Sequence, residues 1–231
     1  MQLLRGLSEA VLELERAHCA HRDLSSGNVF IEMNTWRCRL IDWDSAYHPT
    51  LTMPANTTCG TSGYVAPFVW TRGQVDTRLT WHPRADRCAM AFLNAEFLTL
   101  GPGSPMTEEG GMYKQDETCR RSGPGLESSM KTLKQGFPEA AVLFQRALRA
   151  GSYDECPSPA EWCECCRRVP PPALNQVPEL PPAFFEEILA RRRPAAPIWA
   201  APRLADVALE LPVLPLPNRQ VPHLPADPWK Q

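Results

Sequence analysis

The first helix of the chain is predicted by apolar residues that recur at three- and four-residue steps near its start. Polar residues fill the intervening positions, so the segment has one apolar face and leads into a polar loop. The residues of the apolar face are Leu4, Leu7, Val11 and Leu14. A second segment, 85–100, is apolar nearly all round and is followed by Gly101, which predicts a buried helix with a glycine stop.

Two short runs of β-type residues, 29–31 and 38–41, predict a hairpin, because the turn-forming pair Asn34 and Thr35 lies between them. Asn28 comes directly before the first run and Asp42 directly after the second. Since the two ends of a hairpin lie side by side, we expect Asn28 and Asp42 to point into one cleft.

Two further helices are expected before residue 169. The segment 137–148 has an amphipathic face made of Phe137, Ala141, Phe144 and Leu148. The segment 159–168 begins with Pro159 at its first helical position, and Ser158 with Glu161 forms a capping-box pair. The pattern therefore predicts a mainly α domain with one small β-hairpin over residues 1–168.

Proline marks a boundary near Val169. Of the 25 prolines in the chain, 15 lie between Pro170 and Pro228. Proline removes a backbone donor and interrupts both helices and sheets, so residues 169–231 are expected to form a Pro-rich, largely disordered tail. A short helix is predicted within this tail at 184–192.

Composition narrows the class of protein. The 231 residues are 43% hydrophobic and 22% charged, which fits one globular domain with an additional segment. A formal net charge of -2 predicts no nucleic-acid partner, and no apolar run reaches the length of a membrane span. We see no signal peptide, and nine cysteines without regular spacing favour a reducing, cytoplasmic location over a disulfide framework.

The chemistry-bearing motif is the segment 21–28, which reads HRDLSSGN and is followed, after the predicted hairpin, by Asp42. Phosphoryl transfer needs a carboxylate near the attacking hydroxyl, and oxygen ligands that hold Mg²⁺ on the phosphates. Asp23, Asn28 and Asp42 are residues of those types in that order. The pattern resembles the eukaryotic-type Ser/Thr protein kinase family, whose motifs are H-R-D-L-x-x-x-N and D-F-G.

This resemblance implies the helical C-terminal lobe of a kinase, which uses ATP and Mg²⁺ to transfer the γ-phosphate to Ser or Thr of a protein substrate. It implies that Asp23 is the catalytic carboxylate and that Asn28 and Asp42 bind the nucleotide through Mg²⁺. The segment 60–67, GTSGYVAP, resembles the substrate-receiving segment of the family, in which the residue at Thr61 braces the catalytic aspartate.

Three more residues take roles from the same resemblance. Arg22 corresponds to the residue that gathers a phosphorylated activation segment in many kinases. His21 is expected to be a packed structural histidine. Asp86, early in the buried helix, corresponds to an aspartate that accepts backbone hydrogen bonds from the catalytic loop, although a favourable place at a helix N-terminus would also explain it.

The chain departs from the family pattern at several positions. Asp44 replaces the glycine of D-F-G and is expected to visit positive φ at a modest cost. Ser25 stands where a lysine usually contacts the γ-phosphate, which weakens the case for fast catalysis. Phe68 and Cys156 replace the two partners of an ion pair, and losing both together is compatible with folding.

The resemblance covers only the C-terminal half of a kinase domain. No Gly-rich loop and no ATP-binding lysine precede His21, so we expect the ATP-holding lobe to be missing and the isolated chain to be inactive unless such a lobe or a partner chain completes it. Two alternatives remain open. One is a non-catalytic pseudokinase or interaction module; the other is a small-molecule phosphotransferase resembling aminoglycoside kinases, whose I-D-W motif is similar to residues 41–43. The segment 60–67 argues against the second.

Overall fold

The computed structural model describes residues 2–32, 37–53, 60–71, 73–101, 104, 106–107 and 111–168. The predicted Pro-rich tail at 169–231 and its short helix at 184–192 lie outside the described residues. The hairpin turn at Asn34 and Thr35 lies outside them as well.

Within the described part of the chain, helices predominate and the strands are short. The helices are α1 (Gln2–Arg16), α2 (Thr77–Thr80), α3 (Asp86–Thr99), α4 (Gln115–Arg120), α5 (Pro124–Gly136), α6 (Pro138–Arg149) and α7 (Pro159–Arg168). The strands are β1 (Val29–Glu32), β2 (Arg37–Leu40), β3 (Trp70–Thr71) and β4 (Gln74–Val75), and a 3-10 turn spans Pro67–Val69. This architecture is compatible with a mainly α, kinase-like region.

Helix α3 forms the centre of the domain, as its apolar sequence predicts. Its residues from Cys88 to Glu96 are buried on every side, and α1, α5, α6 and α7 pack around it. Three aromatic rings fill the space between α3 and its neighbours, since Phe92 contacts Tyr113 and Phe144 edge-on at centroid distances of 5.9 Å. Because α3 cannot move without disrupting this core, it is a rigid base for the loop that it supports.

Helix α1 joins this core through the face that its periodicity predicts. Leu4, Leu7 and Val11 are buried. At its C-terminal end, Glu15 accepts two hydrogen bonds of 2.7 and 2.8 Å from the guanidinium of Arg87 on α3. The side chains are only 13% and 11% exposed, and bidentate geometry of this kind makes an ion pair stronger than an ordinary surface pair. It fixes the point at which the chain leaves α1.

The predicted hairpin is confirmed. Strands β1 and β2 pair antiparallel with Val29 opposite Leu40. Val29 and Leu40 pack toward the core, whereas Phe30 on the opposite face is 61% exposed. A second, two-residue strand pair, β3 with β4, was not predicted because it is too short to give an alternating pattern.

The capping box of α7 is also confirmed. The Ser158 amide donates to Oε2 of Glu161 at 2.8 Å, and the Glu161 amide donates to the Ser158 hydroxyl at 3.3 Å. Helices α4 and α5 were not predicted. Helix α4 has only six residues and is too short to show a period, whereas Leu126, Met130 and Leu133 of α5 recur at four- and three-residue steps and were the available signal. None of the helices that the structure describes is both long and apolar enough to cross a membrane.

Candidate active site

The loop between α1 and β1, residues 17–28, carries the predicted catalytic motif and is supported from below by Asp86. The Asp86 carboxylate accepts hydrogen bonds from the amides of His21 (2.6 Å) and Arg22 (2.8 Å). Asp86 is buried in the first turn of α3, and burial raises its pKa while the two amide donors oppose that shift. One carboxylate therefore fixes two consecutive peptide groups, the second of which belongs to a residue with a left-handed φ of 67°.

His21 is fully buried and lies between the loop and the end of the hairpin. Its Nε2 is 2.7 Å from the Ile41 carbonyl, and its Nδ1 accepts from the Asp23 amide at 3.3 Å. Because a carbonyl can only accept, Nε2 must carry the proton and Nδ1 must be the acceptor. The ring also meets the Trp43 ring edge-on at 4.7 Å. His21 has the position of a structural residue that joins the loop to the segment around Asp42.

Asp23 receives hydrogen bonds on both carboxylate oxygens. The Thr61 hydroxyl donates to Oδ1 at 2.8 Å. The Asn28 amide group donates to Oδ2 at 3.1 Å and to the Asp23 carbonyl at 2.8 Å. The carboxylate is partly buried and held in one orientation from two sides. This arrangement brings together three of the residues that the sequence predicts for the site, Asp23, Asn28 and Thr61.

Asn28 and Asp42 are linked by the base of the hairpin. The Ile41 amide donates to the Asn28 carbonyl at 3.1 Å, which places Asp42 one residue beyond the last hairpin contact. Asp42 is exposed and has a left-handed φ of 63°. Asp44, by contrast, does not have a positive φ, so the backbone cost that we expected at Asp44 is borne by Asp42 instead.

The donor atoms around this hairpin end suit Mg²⁺. The Asn28 Nδ2 is used by Asp23, which leaves the amide oxygen of Asn28 as an acceptor, and the Asp42 carboxylate faces solvent. Mg²⁺ prefers oxygen ligands and commonly takes only one or two from the protein, with phosphate and water oxygens completing the shell. No group of three or more His, Cys, Asp or Glu with metal-site geometry occurs among the described residues.

The segment 60–66 is held by polar contacts that sequence reasoning missed. Gln115 on α4 accepts from the Gly63 amide at 3.0 Å and donates to the Val65 carbonyl at 3.1 Å. Gly63 has a φ of 87°, and a Cβ at this position would lie 2.1 Å from the Tyr113 carbonyl, so only glycine fits. Gln115 thereby fixes the backbone at Gly63 and Val65 against α4.

Glu96 also holds this segment, through a contact with Tyr64 that the sequence did not predict. It accepts from the Tyr64 hydroxyl at 2.7 Å and from the Met112 amide at 2.6 Å. Burial raises the pKa of Glu96 to about 7. A carboxylate within so apolar a helix was the available signal, because buried acidic groups need partners.

Phe68 and Cys156, which stand where the kinase pattern has an ion pair, both pack against apolar residues. Phe68 contacts the ring of Tyr153 edge-on at 4.8 Å, and Tyr153 stacks on His82 at 5.2 Å. Cys156, three residues after Tyr153, is buried. An aromatic contact therefore joins the segment after Ala66 to the loop before α7, in the region where the family pattern has a charge pair.

Two remaining predicted positions differ from what the family pattern suggests. Ser25 is buried and provides no positive charge near Asp23. Arg22 is also buried, and its guanidinium contacts Thr80, Ser45 and the ring of Trp81. The structure therefore directs Arg22 into the protein rather than toward solvent.

Comparison with known proteins gives a distant match. No family model matches the chain. The liver/testis isoform of the phosphorylase b kinase gamma catalytic chain is 27% identical over 173 residues in both mouse and human. The rat protein is 26% identical over the same length. The aligned region covers 69% of this chain but 41% of each relative, so the chain spans less than half the length of the curated proteins it matches. This similarity supports a kinase-like relationship.

Proposed function

We propose that the chain is the substrate-side half of a Mg²⁺-dependent phosphotransferase that moves the γ-phosphate of ATP to a Ser or Thr hydroxyl of a protein. The observation that carries this proposal is the arrangement of Asp23, whose carboxylate is held by Thr61 and Asn28 beside the hairpin end that bears Asp42. The similarity to a kinase catalytic chain supports the same class of reaction.

The roles follow from the contacts. Asp23 orients the substrate hydroxyl and accepts its proton, because its carboxylate is fixed but still partly open to solvent. Asn28 and Asp42 would hold Mg²⁺, with the amide oxygen of Asn28 and the exposed carboxylate of Asp42 available as oxygen ligands. Bound MgATP supplies the phosphoryl group, with its charge neutralised by the metal. Asp86 and His21 keep this constellation in place without touching the reactants.

The nucleotide needs a further layer of protein. Phe30, Ile41 and Trp43, which we call the apolar hairpin face, are 61%, 40% and 44% exposed. Exposed apolar side chains beside a polar site mark a surface that another element covers. We propose that a lobe from the same polypeptide or from a partner chain packs here and completes the ATP site.

The protein substrate is proposed to bind along the segment 60–66. Thr61 contacts the catalytic carboxylate directly, and the rest of the segment is held rigidly by Gln115 and Glu96. Residues 60–62 are at least partly exposed next to the catalytic group, whereas 63–66 are buried and anchor the segment. This rigid edge gives a peptide hydroxyl a defined approach to Asp23.

The observation that favours the non-catalytic alternative is the buried Ser25, which leaves the γ-phosphate without a lysine contact from this loop. A single charged donor is worth about two to three orders of magnitude in rate, so its loss slows transfer but does not by itself abolish it.

The test compares two neighbouring carboxylates in the complete polypeptide, by which we mean the chain together with the proposed ATP-holding lobe. Asp42→Asn should remove Mg²⁺-dependent transfer of labelled γ-phosphate and weaken Mn²⁺ binding in the presence of ATP, measured by electron paramagnetic resonance. Asp44→Asn is the matched control, because Asp44 is also an exposed carboxylate and lies two residues away. Equal transfer in Asp42→Asn and the unaltered protein would show that this site does not hold the metal.

A further inference from the structure

We infer that Ser45, Thr80 and Trp81 hold Arg22 in a fixed arrangement, so that the catalytic loop is set without a phosphate on the segment that follows Asp42. We call these four residues the Arg22 clamp. The inference deepens the proposed function, on which it rests, by assigning how the site is regulated.

The clamp uses all three nitrogens of the guanidinium. Nε donates to the Thr80 carbonyl at 2.9 Å, and Nη2 donates to the Thr80 hydroxyl at 2.8 Å. Nη1 donates to the Ser45 carbonyl at 2.7 Å. The guanidinium carbon lies 4.6 Å from the centre of the Trp81 ring, within cation–π range. Arg22 is 5% exposed as a result.

The carbonyl and the hydroxyl of Thr80 both accept hydrogen bonds from Arg22. Its hydroxyl donates to the Thr77 carbonyl at 2.8 Å, which leaves the oxygen lone pairs directed toward Nη2 of Arg22. The Thr80 carbonyl is the last in α2, where helical carbonyls lack intrahelical partners and favour a cation. The same residue therefore contacts both ends of one guanidinium edge.

These contacts use at least three of the five N–H donors of Arg22, and with the burial of the side chain they hinder phosphate binding. Phosphate binds arginine most strongly through two parallel hydrogen bonds to one exposed edge of the fork. Here the Nε–Nη2 edge is taken by Thr80, Nη1 is taken by Ser45, and a ring covers one face. A phosphate could take the Nε–Nη2 edge only after the Thr80 contacts break, and it would lose water in doing so.

The clamp also performs the task that a phosphate would perform, because it ties the segment after Asp42 to the catalytic loop. Ser45 lies three residues after Asp42, and its carbonyl is held by Arg22. Two residues further, Tyr47 pairs with Ala20 through backbone hydrogen bonds of 2.7 and 3.1 Å. The Tyr47 ring meets Trp81 edge-on at 5.1 Å. The catalytic loop and the segment after Asp42 are thus joined on both sides of His21, at Ala20 and at Arg22.

The first arm of the test measures access to Arg22 in the full chain. Phenylglyoxal modification, located by mass spectrometry, should be about tenfold or more slower at Arg22 than at the exposed Arg78, because modification of Arg22 requires local opening. Thr80→Val removes one acceptor at nearly constant volume and should raise the rate at Arg22 several-fold. Thr71→Val, the same change at an exposed strand position, should not. Trp81→Ala tests the ring, and Thr80→Val keeps the experiment informative if that variant fails to fold.

The second arm measures transfer by the complete natural polypeptide before and after phosphatase treatment, with bound phosphate counted by mass spectrometry. Unchanged transfer supports the inference. Transfer that disappears on dephosphorylation, while Asp23→Asn remains inactive throughout, keeps the proposed function and overturns the clamp. If neither preparation transfers phosphate, the proposed function fails, and the first arm alone decides: protection of Arg22 in unphosphorylated protein supports the clamp, and modification at the rate of Arg78 overturns it.

Discussion

The hydroxyl of Thr61 donates a hydrogen bond of 2.8 Å to Oδ1 of Asp23, although the two residues are 38 positions apart in the chain. This contact couples the segment 60–66 to the Asp23 carboxylate. In the proposed reaction, positioning of the acceptor hydroxyl and orientation of the proton acceptor would therefore depend on each other.

Removal of that hydroxyl is the first prediction. Thr61→Val keeps the shape of the side chain but frees one oxygen of Asp23, so turnover in the complete polypeptide should fall about tenfold, the equivalent of one hydrogen bond to a charged group. The affinity for MgATP should not change, because Thr61 does not contact Asn28 or Asp42. Thr71→Val is the control, and turnover equal in all three proteins would mean that the contact has no part in catalysis.

Replacement of Asp86 tests the support of the catalytic loop. Asp86→Asn keeps one acceptor oxygen but turns an amide donor toward a backbone N–H of the loop. Because this leaves a buried donor unsatisfied, the free energy of unfolding should fall by about 2–3 kcal/mol in urea titration of the 231-residue chain. Asp116→Asn, on the exposed face of α4, should change it by no more than about 0.5 kcal/mol. Similar midpoints for the two variants would contradict this role.

Glu96 predicts a pH dependence of stability. Its pKa is raised from 4.5 to about 7 in the folded protein, so between these values the folded state binds more protons than the unfolded state. The resulting stability is fully present below pH 4.5 and is lost as pH rises to about 7; the whole contribution is about 3 kcal/mol.

The measurement compares urea unfolding of the unaltered chain and Glu96→Gln at pH 5 and pH 8. Glutamine keeps an acceptor for the Met112 amide but does not titrate, so the variant should lose less stability than the unaltered chain over this interval. Other groups titrate equally in both proteins and cancel in the comparison. An identical loss in the two proteins would show that Glu96 is not held in its protonated form.

The apolar hairpin face should cause self-association in the chain when no lobe covers it. Phe30→Ser combined with Ile41→Ser should lower the binding of a hydrophobic dye and shift sedimentation toward the monomer. Val142→Ser is the control, because Val142 is 64% exposed on α6, in a different part of the domain. If the control lowers association as much as the double change, the effect is one of general hydrophobicity and not of this surface.

The parts of the fold that could be predicted are those with strong local signals. The all-round apolar sequence of α3, the period of α1 and the alternating runs of the hairpin each follow from neighbouring residues. The two β-type runs on either side of Asn34 and Thr35 were enough to predict that a hairpin links Asn28 to Asp42.

The missed contacts of the site join residues that are distant in sequence. The partners of Arg22 lie 23 and 58 positions away, and Tyr64 lies 32 positions from Glu96, so no local pattern could pair them. The backbone cost expected at Asp44 falls on Asp42, because the local path of the chain after the hairpin determines which residue adopts the left-handed conformation.

The most direct test of the catalytic assignment is the separation of turnover from binding in Asp23→Asn, measured in the complete polypeptide. The change should lower turnover by about two orders of magnitude or more, because it removes the group that accepts the proton of the hydroxyl. The dissociation constant of MgATP should remain within about twofold, because in the proposed reaction Asp23 acts on the hydroxyl while Asn28 and Asp42 hold the metal. Asp116→Asn should change neither quantity. Full turnover in Asp23→Asn would contradict the assignment.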